Sequence, residues 1–223
     1  MGDPTPVVER TGRRLVLLRH GQTSWNATGR AQGHADVSID DVGHAQAEAA
    51  APYLASLRPA AMWSSDLARA RETCAYLEKA TGLTTTFDER LREFGVGQRQ
   101  GLTMAEFAER FPDAYDARLE GDYSIDVPGA EDAGAVENRI VPVLRQCLSS
   151  LGPGETGLVV THGAALKVAV CGLLRWAPEV ASDLRGVDNC AWVTIEELEA
   201  DGRPRLVGYN ESVRPGRSSP ETL

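Results

Sequence analysis

Two short apolar segments, each leading into a histidine followed by a glycine, constrain the fold of this chain more than any other feature. Residues 14–18 read RLVLL and lead through one arginine to His20, and residues 157–161 read GLVVT and directly precede His162. Short apolar runs of this kind are typical of strands that are buried on both faces, as in parallel sheets. We therefore predict two buried strands that each end at a histidine.

Further strand-like and helix-like patterns alternate along the chain. The other segments that predict strands are 60–63, 190–197 and 205–210, the last at the edge of the sheet. Helical patterns cover residues 41–57, 67–82, 103–111, 136–151 and 164–176. Strands that alternate with helices predict an α/β fold, with a mostly parallel central sheet and helices on both faces.

Local signals predict where three of these helices begin, end or bend. Pro52 lies inside the first helical pattern and is expected to kink or split that helix. Ser65 is placed to cap the start of the second helix and Gly82 to cap its end. Thr103 and Glu106 have the spacing of a capping box, which predicts the start of the third helix.

The length and composition suit one compact domain. The chain has 223 residues, of which 42% are hydrophobic and 25% charged, and a single core accommodates a chain of this size. We expect one domain over residues 1–213, with a small helical or loop cap at about 103–131, because residues 112–131 show little apolar periodicity. Residues 214–223 are polar and contain proline, and we expect them to be disordered.

The charge and the lack of long apolar segments argue against several classes of protein. The formal net charge of −9 disfavours binding to nucleic acids and to anionic membranes. No segment approaches the ~20 apolar residues of a membrane span, and no apolar region of signal-peptide type follows the N-terminus. We therefore expect a cytoplasmic protein with neither kind of partner. Its four cysteines form no CxxC pair and are expected to be reduced and mostly buried.

The histidines at the two strand ends predict an anion-binding site. The carboxyl ends of parallel strands meet at one edge of a sheet, so His20 and His162 are expected to lie together, with Arg19 beside them. Backbone N–H groups after each histidine, such as that of Gly163, are donors for an oxyanion. A structural hydrogen bond at a strand end would explain either histidine alone. Two imidazoles that converge with an arginine indicate a functional pocket, and phosphate is the anion that fits it best.

A metal site is the alternative interpretation of these histidines. His34, Asp36 and His44 could supply further ligands for zinc or iron. However, the arginine next to His20 would repel a metal ion, and His34 and His44 fall on a predicted loop and at the solvent-facing start of a helix. We therefore expect no metal and no other cofactor, with His34 and His44 at the surface.

Five sequence blocks resemble those of a known family. They are RHGQTSWN from Arg19, GRAQGHADVSIDDVGHAQA from Gly29, SSDLARARET from Ser64, LREFGVGQRQGLT from Leu91 and VVTHGAAL from Val159. In this order, and over nearly the whole folded chain, they resemble the histidine phosphatase superfamily, the group typified by cofactor-dependent phosphoglycerate mutase. The resemblance implies a phosphoglycerate mutase-like fold and an enzyme that acts on phosphate esters.

The resemblance also assigns roles to residues at matching positions. His20 is implied to be the nucleophile that becomes phosphorylated, and Glu93 the proton donor. The phosphate pocket around the nucleophile is implied to contain Arg19, Asn26, Arg69 and His162. The mouth of the site is implied to contain Gln22, Thr23, Gln32 and Gly33. Without the resemblance, Arg69 would be an ordinary helix residue in a salt bridge and Glu93 an exposed loop carboxylate.

Phosphoryl transfer explains why these residue types are needed. The transition state spreads its charge over three equatorial oxygens, so positioning and fixed positive charge do most of the catalysis. An arginine grips two oxygens at once, which a lysine cannot do. Neutral His20 can attack through one ring nitrogen if the other donates to a backbone carbonyl. Protonated Glu93 can serve the leaving alkoxide, and its carboxylate can then activate the water that cleaves the phosphohistidine.

The spacing of the blocks favours a phosphatase over a mutase. The segment between Glu93 and His162 is shorter than in the mutases that resemble this chain, and GLT after Gln100 resembles the phosphatase pattern. We therefore expect a metal-independent phosphomonoesterase that acts on a small phosphorylated metabolite through a phosphohistidine. The block NCAWVTIEE after Asp188 and the chain length resemble the glucosyl-3-phosphoglycerate phosphatases of actinobacteria.

Several alternatives stay open. The cap residues between Tyr115 and Val127 select the leaving group, so phosphoserine, α-ribazole phosphate and phosphoglycerates are alternative substrates, and a cofactor-dependent phosphoglycerate mutase is an alternative enzyme. A non-catalytic phospholigand-binding protein would lack the nucleophile or the proton donor, whereas His20 and Glu93 are both present. Arg99 stands where phosphatase relatives often have an aromatic residue, and is either a second anion contact or a solvated lid residue. The family resemblance predicts a homodimer.

Overall fold

The computed structural model describes residues 12–119, 127–198 and 202–213. Its strands are β1 (Arg13–Arg19), β2 (Ala61–Ser64), β3 (Thr85–Phe87), β4 (Thr156–Thr161), β5 (Trp192–Glu197) and β6 (Pro204–Glu211). Its α-helices are α1 (Ser24–Ala27), α2 (Asp41–Ser56), α3 (Ala68–Thr81), α4 (Met104–Arg110), α5 (Pro112–Leu119), α6 (Ala133–Ser149), α7 (Gly163–Leu174) and α8 (Val180–Asp183). All five predicted strands are present, and the α/β fold is confirmed.

The strands form one mostly parallel sheet in the order β3-β2-β4-β1-β5-β6. The neighbours from β3 to β1 pair in parallel, whereas β5 runs antiparallel to β1 and β6 antiparallel to β5. Arg19 at the end of β1 pairs with Thr161 at the end of β4. Because the two strands are adjacent and end at the same level, His20 and His162 emerge side by side at one edge of the sheet.

The side chains of β1 alternate between two hydrophobic cores, one on each face of the sheet. Leu15 and Leu17 pack in the core that contains the apolar stripes of α6 and α7. Val16 and Leu18 pack on the opposite face, in the core that contains α2 and α3. All four side chains are at most 1% exposed, which explains why β1 reads as a continuous apolar run rather than as an alternating one.

Helix α2 continues through Pro52 as one helix, so the predicted split is wrong. A proline lacks the N–H that would bond the carbonyl four residues earlier, here that of Glu48. Pro52 and Glu48 both lie on the exposed face of α2, where water can hydrate that carbonyl. The apolar face of the helix packs on the sheet and keeps the helix continuous.

Helix α3 starts later than predicted, and Ser65 does not cap it. Leu67 occupies the N-cap position without a side-chain hydrogen bond, and the N–H of Ala68 donates instead to the carboxylate of Asp36, at 2.6 Å. A side chain from another loop therefore satisfies the helix start. The Ser65 hydroxyl accepts from the N–H of Leu67 at 3.4 Å and also takes part in the site described below. The predicted C-cap is confirmed, because Gly82 adopts a left-handed conformation with φ of 74°.

Among the strands and α-helices, four short elements were not predicted, namely β3, α1, α5 and α8. β3 spans three residues at the sheet edge, and α5 lies in the segment expected to lack periodicity. The predicted capping box of Thr103 and Glu106 at the start of α4 is confirmed.

Residues 120–126 of the predicted cap and the predicted tail at 214–223 lie outside the described residues, and the single domain over 1–213 stays a prediction. None of the described helices is long and apolar enough to span a membrane. All four cysteines are free and buried, as expected.

Candidate active site

His20 follows β1 directly and is held in a single tautomer. Its ring is buried, and its Nδ1 lies 2.7 Å from the carbonyl oxygen of Gly21. A carbonyl only accepts, so Nδ1 carries the proton and Nε2 has a free lone pair. The N–H of Gly21 donates to the hydroxyl of Thr73 at 3.0 Å, which fixes the turn after the strand. The structure therefore presents a neutral imidazole with an unprotonated Nε2.

His162 lies against His20, as expected from the two strand ends. The ring centroids are 5.1 Å apart, and the ring planes are tilted by 57°. Arg69 donates from Nε to Nδ1 of His162 at 3.2 Å, so this nitrogen is unprotonated. The proton is then on Nε2, which donates to the Ser65 hydroxyl at 2.8 Å. Opposite ring nitrogens therefore carry the proton in the two histidines, and neighbouring side chains or backbone fix both.

Burial and nearby arginines keep both imidazoles neutral. The pKa of His20 lies well below its usual value, mainly because burial disfavours the charged form and further because Arg69 and Arg19 repel it. The pKa of His162 is also lowered well below the usual value, by burial first and then by Arg69. A nucleophile needs the lone pair of the neutral ring, so this environment keeps His20 reactive at neutral pH.

These lowered pKa values predict that the protein loses stability in mild acid. Below the unfolded-state value of 6.5, the unfolded chain binds protons that His20 and His162 in the folded protein do not. The free energy of unfolding should therefore keep its full value above pH 6.5. As the pH falls below 6.5, it should decrease by about 1.4 kcal/mol per pH unit for each histidine. When the free energy of unfolding in urea is measured across this pH range, its slope against pH should be shallower for His20→Asn than for the wild type. The difference should correspond to one bound proton. An unchanged slope would mean that His20 titrates normally when folded.

Arg69 is completely buried and is oriented by the loop before α2. Its Nη1 donates to the carbonyl of Ala35 at 2.8 Å and its Nη2 to that of Gly33 at 2.7 Å. With the bond to His162, three of its five N–H groups are bound to described residues, which leaves two for an anion. Burial lowers the pKa of Arg69 to about 10, so it stays charged at neutral pH.

Arg19 is held at the start of α7. Its Nη1 donates to the carbonyl of Val187 at 2.7 Å, whereas its buried Nε has no partner among the described residues. Gly163 permits this position, because a Cβ there would lie only 3.3 Å from Nε of Arg19. Burial lowers the pKa of Arg19, but an arginine remains protonated at neutral pH. The unsatisfied Nε of Arg19 adds a further buried donor for an oxyanion.

The loop after His20 orients Asn26. Its Oδ1 accepts from the N–H of Thr23 at 3.1 Å and from the side-chain amide of Asn189 at 3.3 Å. This leaves the amide NH2 of Asn26 directed away from these donors. Asn189 also donates to the carbonyl of His20 at 3.0 Å, and therefore ties the loop to the strand end.

The residues predicted at the mouth of the site divide into two pairs. Gln32 and Gly33 line the cavity, and the carbonyl of Gly33 holds Arg69. Gln22 and Thr23 do not line it, which corrects their predicted position. Gln22 donates from Nε2 to Asp40 at 3.1 Å, and Thr23 caps α1 with its hydroxyl. Both side chains therefore support the loop that carries Asn26.

Glu93 bridges its own loop and the start of α7. Its Oε1 accepts from the N–H groups of Ala165, at 2.8 Å, and Phe94, at 3.0 Å. Its Oε2 accepts from one donor among the described residues, the N–H of Ala164, at 3.0 Å. The positive end of a helix suits a carboxylate here. Oε1 is therefore saturated by two donors, and Oε2 has a lone pair to spare.

A half-buried ion pair positions the backbone of Glu93. Arg139 on α6 donates to the carbonyls of Arg92 and Glu93, each at 2.7 Å, and pairs with the carboxylate of Glu131 at 2.8 Å. His34 donates from Nε2 to the same Glu93 carbonyl at 2.8 Å. His34 is exposed as expected, yet it contacts the site.

His44 was expected at the surface but is half-buried, and its Nδ1 lies 3.0 Å from the hydroxyl of Tyr76.

These side chains converge on one cavity with a volume of about 950 Å³. The predicted site residues that line it are Arg19, His20, Asn26, Gln32, Gly33, Arg69, Glu93 and Gly163. His162 lies behind them, completely buried between His20 and Arg69. Within the described part of the chain, no group of three or more His, Cys, Asp or Glu side chains is placed to hold a metal ion. The cavity combines a nucleophile, two arginines and a carboxyl group, which suits phosphoryl transfer.

Three contributors to the site were missed in the sequence. Ser65 follows β2, so the rule that places residues after parallel strands at the site edge would have found it. Asn189 precedes β5, which runs antiparallel to β1, so the start of β5 lies at the same edge. Arg139 lies on an amphipathic helix, and no local pattern marks it, because its role depends on a loop from elsewhere in the chain.

Comparison with known proteins identifies the family. A family model described as "Histidine phosphatase superfamily (branch 1)" matches residues 15–212. The chain belongs to the histidine phosphatase superfamily. The predicted family is therefore confirmed, and with it the predicted enzyme class, a phosphoric monoester hydrolase.

Named relatives of this histidine phosphatase include two kinds of phosphatase. Over 199 residues, the chain is 35% identical to a glucosyl-3-phosphoglycerate phosphatase of Mycolicibacterium vanbaalenii, and this match covers 86% of the chain and 88% of the relative. Over 163 residues, the chain is 37% identical to a metal-independent phosphoserine phosphatase of Arabidopsis thaliana, and this match covers 72% of the chain and 68% of the relative.

A solved structure shares the fold of this histidine phosphatase. The structure of a mycobacterial glucosyl-3-phosphoglycerate phosphatase complexed with VO3 matches with a TM-score of 0.82 and 34% sequence identity. The match covers 90% of this chain and 100% of that chain. The predicted phosphoglycerate mutase-like fold is therefore confirmed.

Proposed function

We propose that this histidine phosphatase is a metal-independent phosphomonoesterase, which transfers the phosphoryl group of a small metabolite to Nε2 of His20 and then to water. The observation that carries the proposal is the hydrogen bond from Nδ1 of His20 to the Gly21 carbonyl, at 2.7 Å. It leaves Nε2 unprotonated in a cavity that is also lined by Arg19 and Arg69. A neutral nucleophile and fixed positive charge are the two requirements of phosphoryl transfer.

In the first step, Nε2 of His20 attacks the phosphorus in line with the ester oxygen. The new N–P bond forms as the ester O–P bond breaks, and the electron pair of that bond leaves with the alkoxide. Arg19 and Arg69 carry donors that are not used by the described protein, and these bind the equatorial oxygens. The positive charge that develops on His20 is offset by the charge of the phosphoryl group it acquires.

Glu93 supplies the proton that the leaving alkoxide needs. Among the described residues, Oε1 accepts two N–H groups and Oε2 accepts one, so Oε2 is the oxygen from which a proton can pass to the alkoxide. Transfer of the proton from Oε2 to the alkoxide releases the alcohol and leaves Glu93 as a carboxylate.

In the second step, that carboxylate takes a proton from water. The water oxygen attacks the phosphorus, the N–P bond breaks, and its electron pair returns to Nε2 of His20. Inorganic phosphate leaves, and Glu93 is protonated again for the next cycle. His162 donates to Ser65 and accepts from Arg69, and these contacts support a role in orienting Arg69 against the phosphoryl group.

The substrate that the relatives support best is glucosyl-3-phosphoglycerate. The chain resembles a phosphatase named for that substrate over 86% of its length. Phosphoserine, α-ribazole phosphate and phosphoglycerates are the alternatives, together with phosphoglycerate mutase activity. The measurement that separates them is kcat/KM for each ester, with isomerisation of 3- to 2-phosphoglycerate assayed in the presence of 2,3-bisphosphoglycerate. The cytoplasmic location and the homodimer stay predictions.

Chelation of metal ions is expected to leave hydrolysis unchanged. Arg19 and Arg69 supply the positive charge in this mechanism, so no step requires a metal ion. The measurement is kcat/KM for a phosphomonoester before and after dialysis against EDTA, with a zinc-dependent phosphatase treated in parallel. Loss of activity that is restored by added metal would contradict the proposal.

A further inference from the structure

Asn26 presents an amide donor to the cavity that contains His20, and the two proposed steps of hydrolysis do not use it. The N–H of Thr23 can only donate, so the Asn26 atom that faces it at 3.1 Å is the oxygen Oδ1. The amide nitrogen Nδ2 of Asn26 forms no hydrogen bond with the described residues. A free NH2 group in a cavity with two arginines is a donor for an oxyanion.

The short helix that carries Asn26 has little packing to hold it in place. α1 is four residues long, and none of the four is buried. Its capping box joins Asn26 and Thr23 by hydrogen bonds in both directions, but both bonds lie within one turn of the chain. They fix the shape of that turn and not its position relative to His20. The orientation of Asn26 in the cavity therefore depends on contacts with other parts of the chain.

Asn189 makes such a contact from a distant part of the chain. Its Nδ2 donates to Oδ1 of Asn26 at 3.3 Å and to the carbonyl of His20 at 3.0 Å. A backbone carbonyl only accepts, so the His20 carbonyl determines which end of the Asn189 amide carries the hydrogens. The NH2 group has two hydrogens, and each has an acceptor. Asn189 therefore joins the backbone of the nucleophile to the side chain of Asn26.

A strained residue fixes Asn189 against the end of β1. Cys190, the next residue, has φ of 52°, in the left-handed region that favours glycine. Its N–H donates to the carbonyls of Arg19, at 3.1 Å, and His20, at 3.4 Å, and its side chain is buried in the core that contains α2 and α3. Strained residues of this kind persist where the surroundings determine them fully, and they cluster at functional sites. The strained turn holds the Asn189 amide in place before any ligand binds.

The residues on either side of Asn189 connect the same loop to Arg19 and to β6. The carbonyl of Val187 accepts from Nη1 of Arg19 at 2.7 Å. The N–H of Asp188 donates to Oδ1 of Asn210 on β6 at 2.8 Å, and Nδ2 of Asn210 donates to the carboxylate of Asp188 at 3.1 Å. One loop, anchored on the sheet, therefore contacts two side chains that line the cavity, Arg19 and Asn26.

We propose that Asn189 is a positioning residue for phosphoryl transfer. Its amide, anchored on the carbonyl of His20, holds Asn26 so that Nδ2 of Asn26 donates to an oxygen of the phosphoryl group. Asn189 itself does not line the cavity, so its effect passes through Asn26. This inference rests on the proposed phosphatase function and adds to it the contact that orients a donor for the phosphoryl oxygens.

The test is a double-mutant cycle between Asn189→Ala and Asn26→Ala, read as kcat/KM for a phosphomonoester and as affinity for inorganic phosphate. Each single substitution is expected to lower both quantities by about 10- to 100-fold, the range for loss of one hydrogen bond to a charged group. In the Asn26→Ala background, Asn189→Ala should lower them further by less than about 3-fold, because nothing is left for Asn189 to position.

Two comparisons separate positioning from general damage. The phosphoryl oxygens stay on phosphorus when the ester bond breaks, so Asn189→Ala should lower kcat/KM equally for alkyl and 4-nitrophenyl phosphates. Asn138→Ala is the matched control, because Asn138 is exposed on α6 and does not line the cavity. It should keep the wild-type kcat/KM and phosphate affinity. If Asn189→Ala does not fold, Asn189→Ser, whose hydroxyl has one hydrogen for two acceptors, gives the same cycle.

The cycle distinguishes failure of this inference from failure of the proposed function. Equal losses from the Asn189 substitution in the wild-type and Asn26→Ala backgrounds would overturn the positioning role, and so would an unchanged phosphate affinity in Asn189→Ala. If the wild-type enzyme hydrolysed no phosphomonoester, the proposed function would fall instead. The affinity for inorganic phosphate would still show whether Asn189 acts through Asn26.

Discussion

Replacement of His20 by alanine is expected to lower kcat by about 10⁴-fold or more, because it removes the atom that forms the covalent bond to phosphorus. Water is a poor replacement for His20 as the nucleophile. Glu93 is placed to protonate the leaving group, and it can activate water only after it has lost that proton. The variant keeps Arg19 and Arg69 and should still bind inorganic phosphate. The measurement is kcat for a phosphomonoester, with phosphate binding by calorimetry as the check on the pocket.

His44→Ala is the matched control for this substitution. His44 is half-buried and hydrogen-bonded to Tyr76 at 3.0 Å, but it does not line the cavity. It should retain wild-type kcat. If His20→Ala retained a substantial part of the wild-type kcat while folded, attack by His20 could not be the route of turnover.

Replacement of Glu93 by glutamine is expected to lower kcat by about 10²- to 10⁴-fold for alkyl phosphates, because a glutamine cannot donate the proton that the alkoxide needs. The loss should be much smaller for 4-nitrophenyl phosphate, whose leaving group is stable without a proton. This comparison separates proton donation from structural damage, since the amide also disturbs the contacts with Ala164 and Ala165.

Glu89→Gln provides the control for the Glu93 substitution. Its carboxylate is 75% exposed, and its nearest ion-pair contact, with Arg92, is long at 3.9 Å. Its replacement should therefore leave the hydrolysis of both substrates unaffected. Equal losses for alkyl and nitrophenyl esters in Glu93→Gln would show that Glu93 maintains the pocket rather than donating a proton.

The positions of the two histidines could be predicted because they depend on a regular element. Buried strands in parallel pairs end at one edge, so the apolar runs were enough to bring His20 and His162 together. The interpretation of Ser65 failed for the opposite reason. Its local sequence is that of a helix cap, but its hydroxyl accepts from His162, which is distant in the chain, and Asp36 supplies the cap instead.

The environment of Glu93 could not be read from the sequence at all. The family resemblance marked the residue, but its contacts with the start of α7 and with Arg139 join three segments of the chain. β3 and α5 were missed because each is short, and neither carries an apolar stripe of its own. Tertiary contacts stabilise such elements, and local propensity does not reveal them.

The most direct measurement is to trap the reaction intermediate on the protein. Rapid quenching of the enzyme with a substrate labelled in its phosphoryl group, followed by peptide mapping, should locate the label on the peptide that contains His20. The bond should be labile in acid and stable in base, as expected for phosphorus bound to nitrogen, and the label should be absent from His20→Ala. An enzyme that turns over under these conditions with no label on that peptide, or with an acid-stable label, would contradict the covalent mechanism.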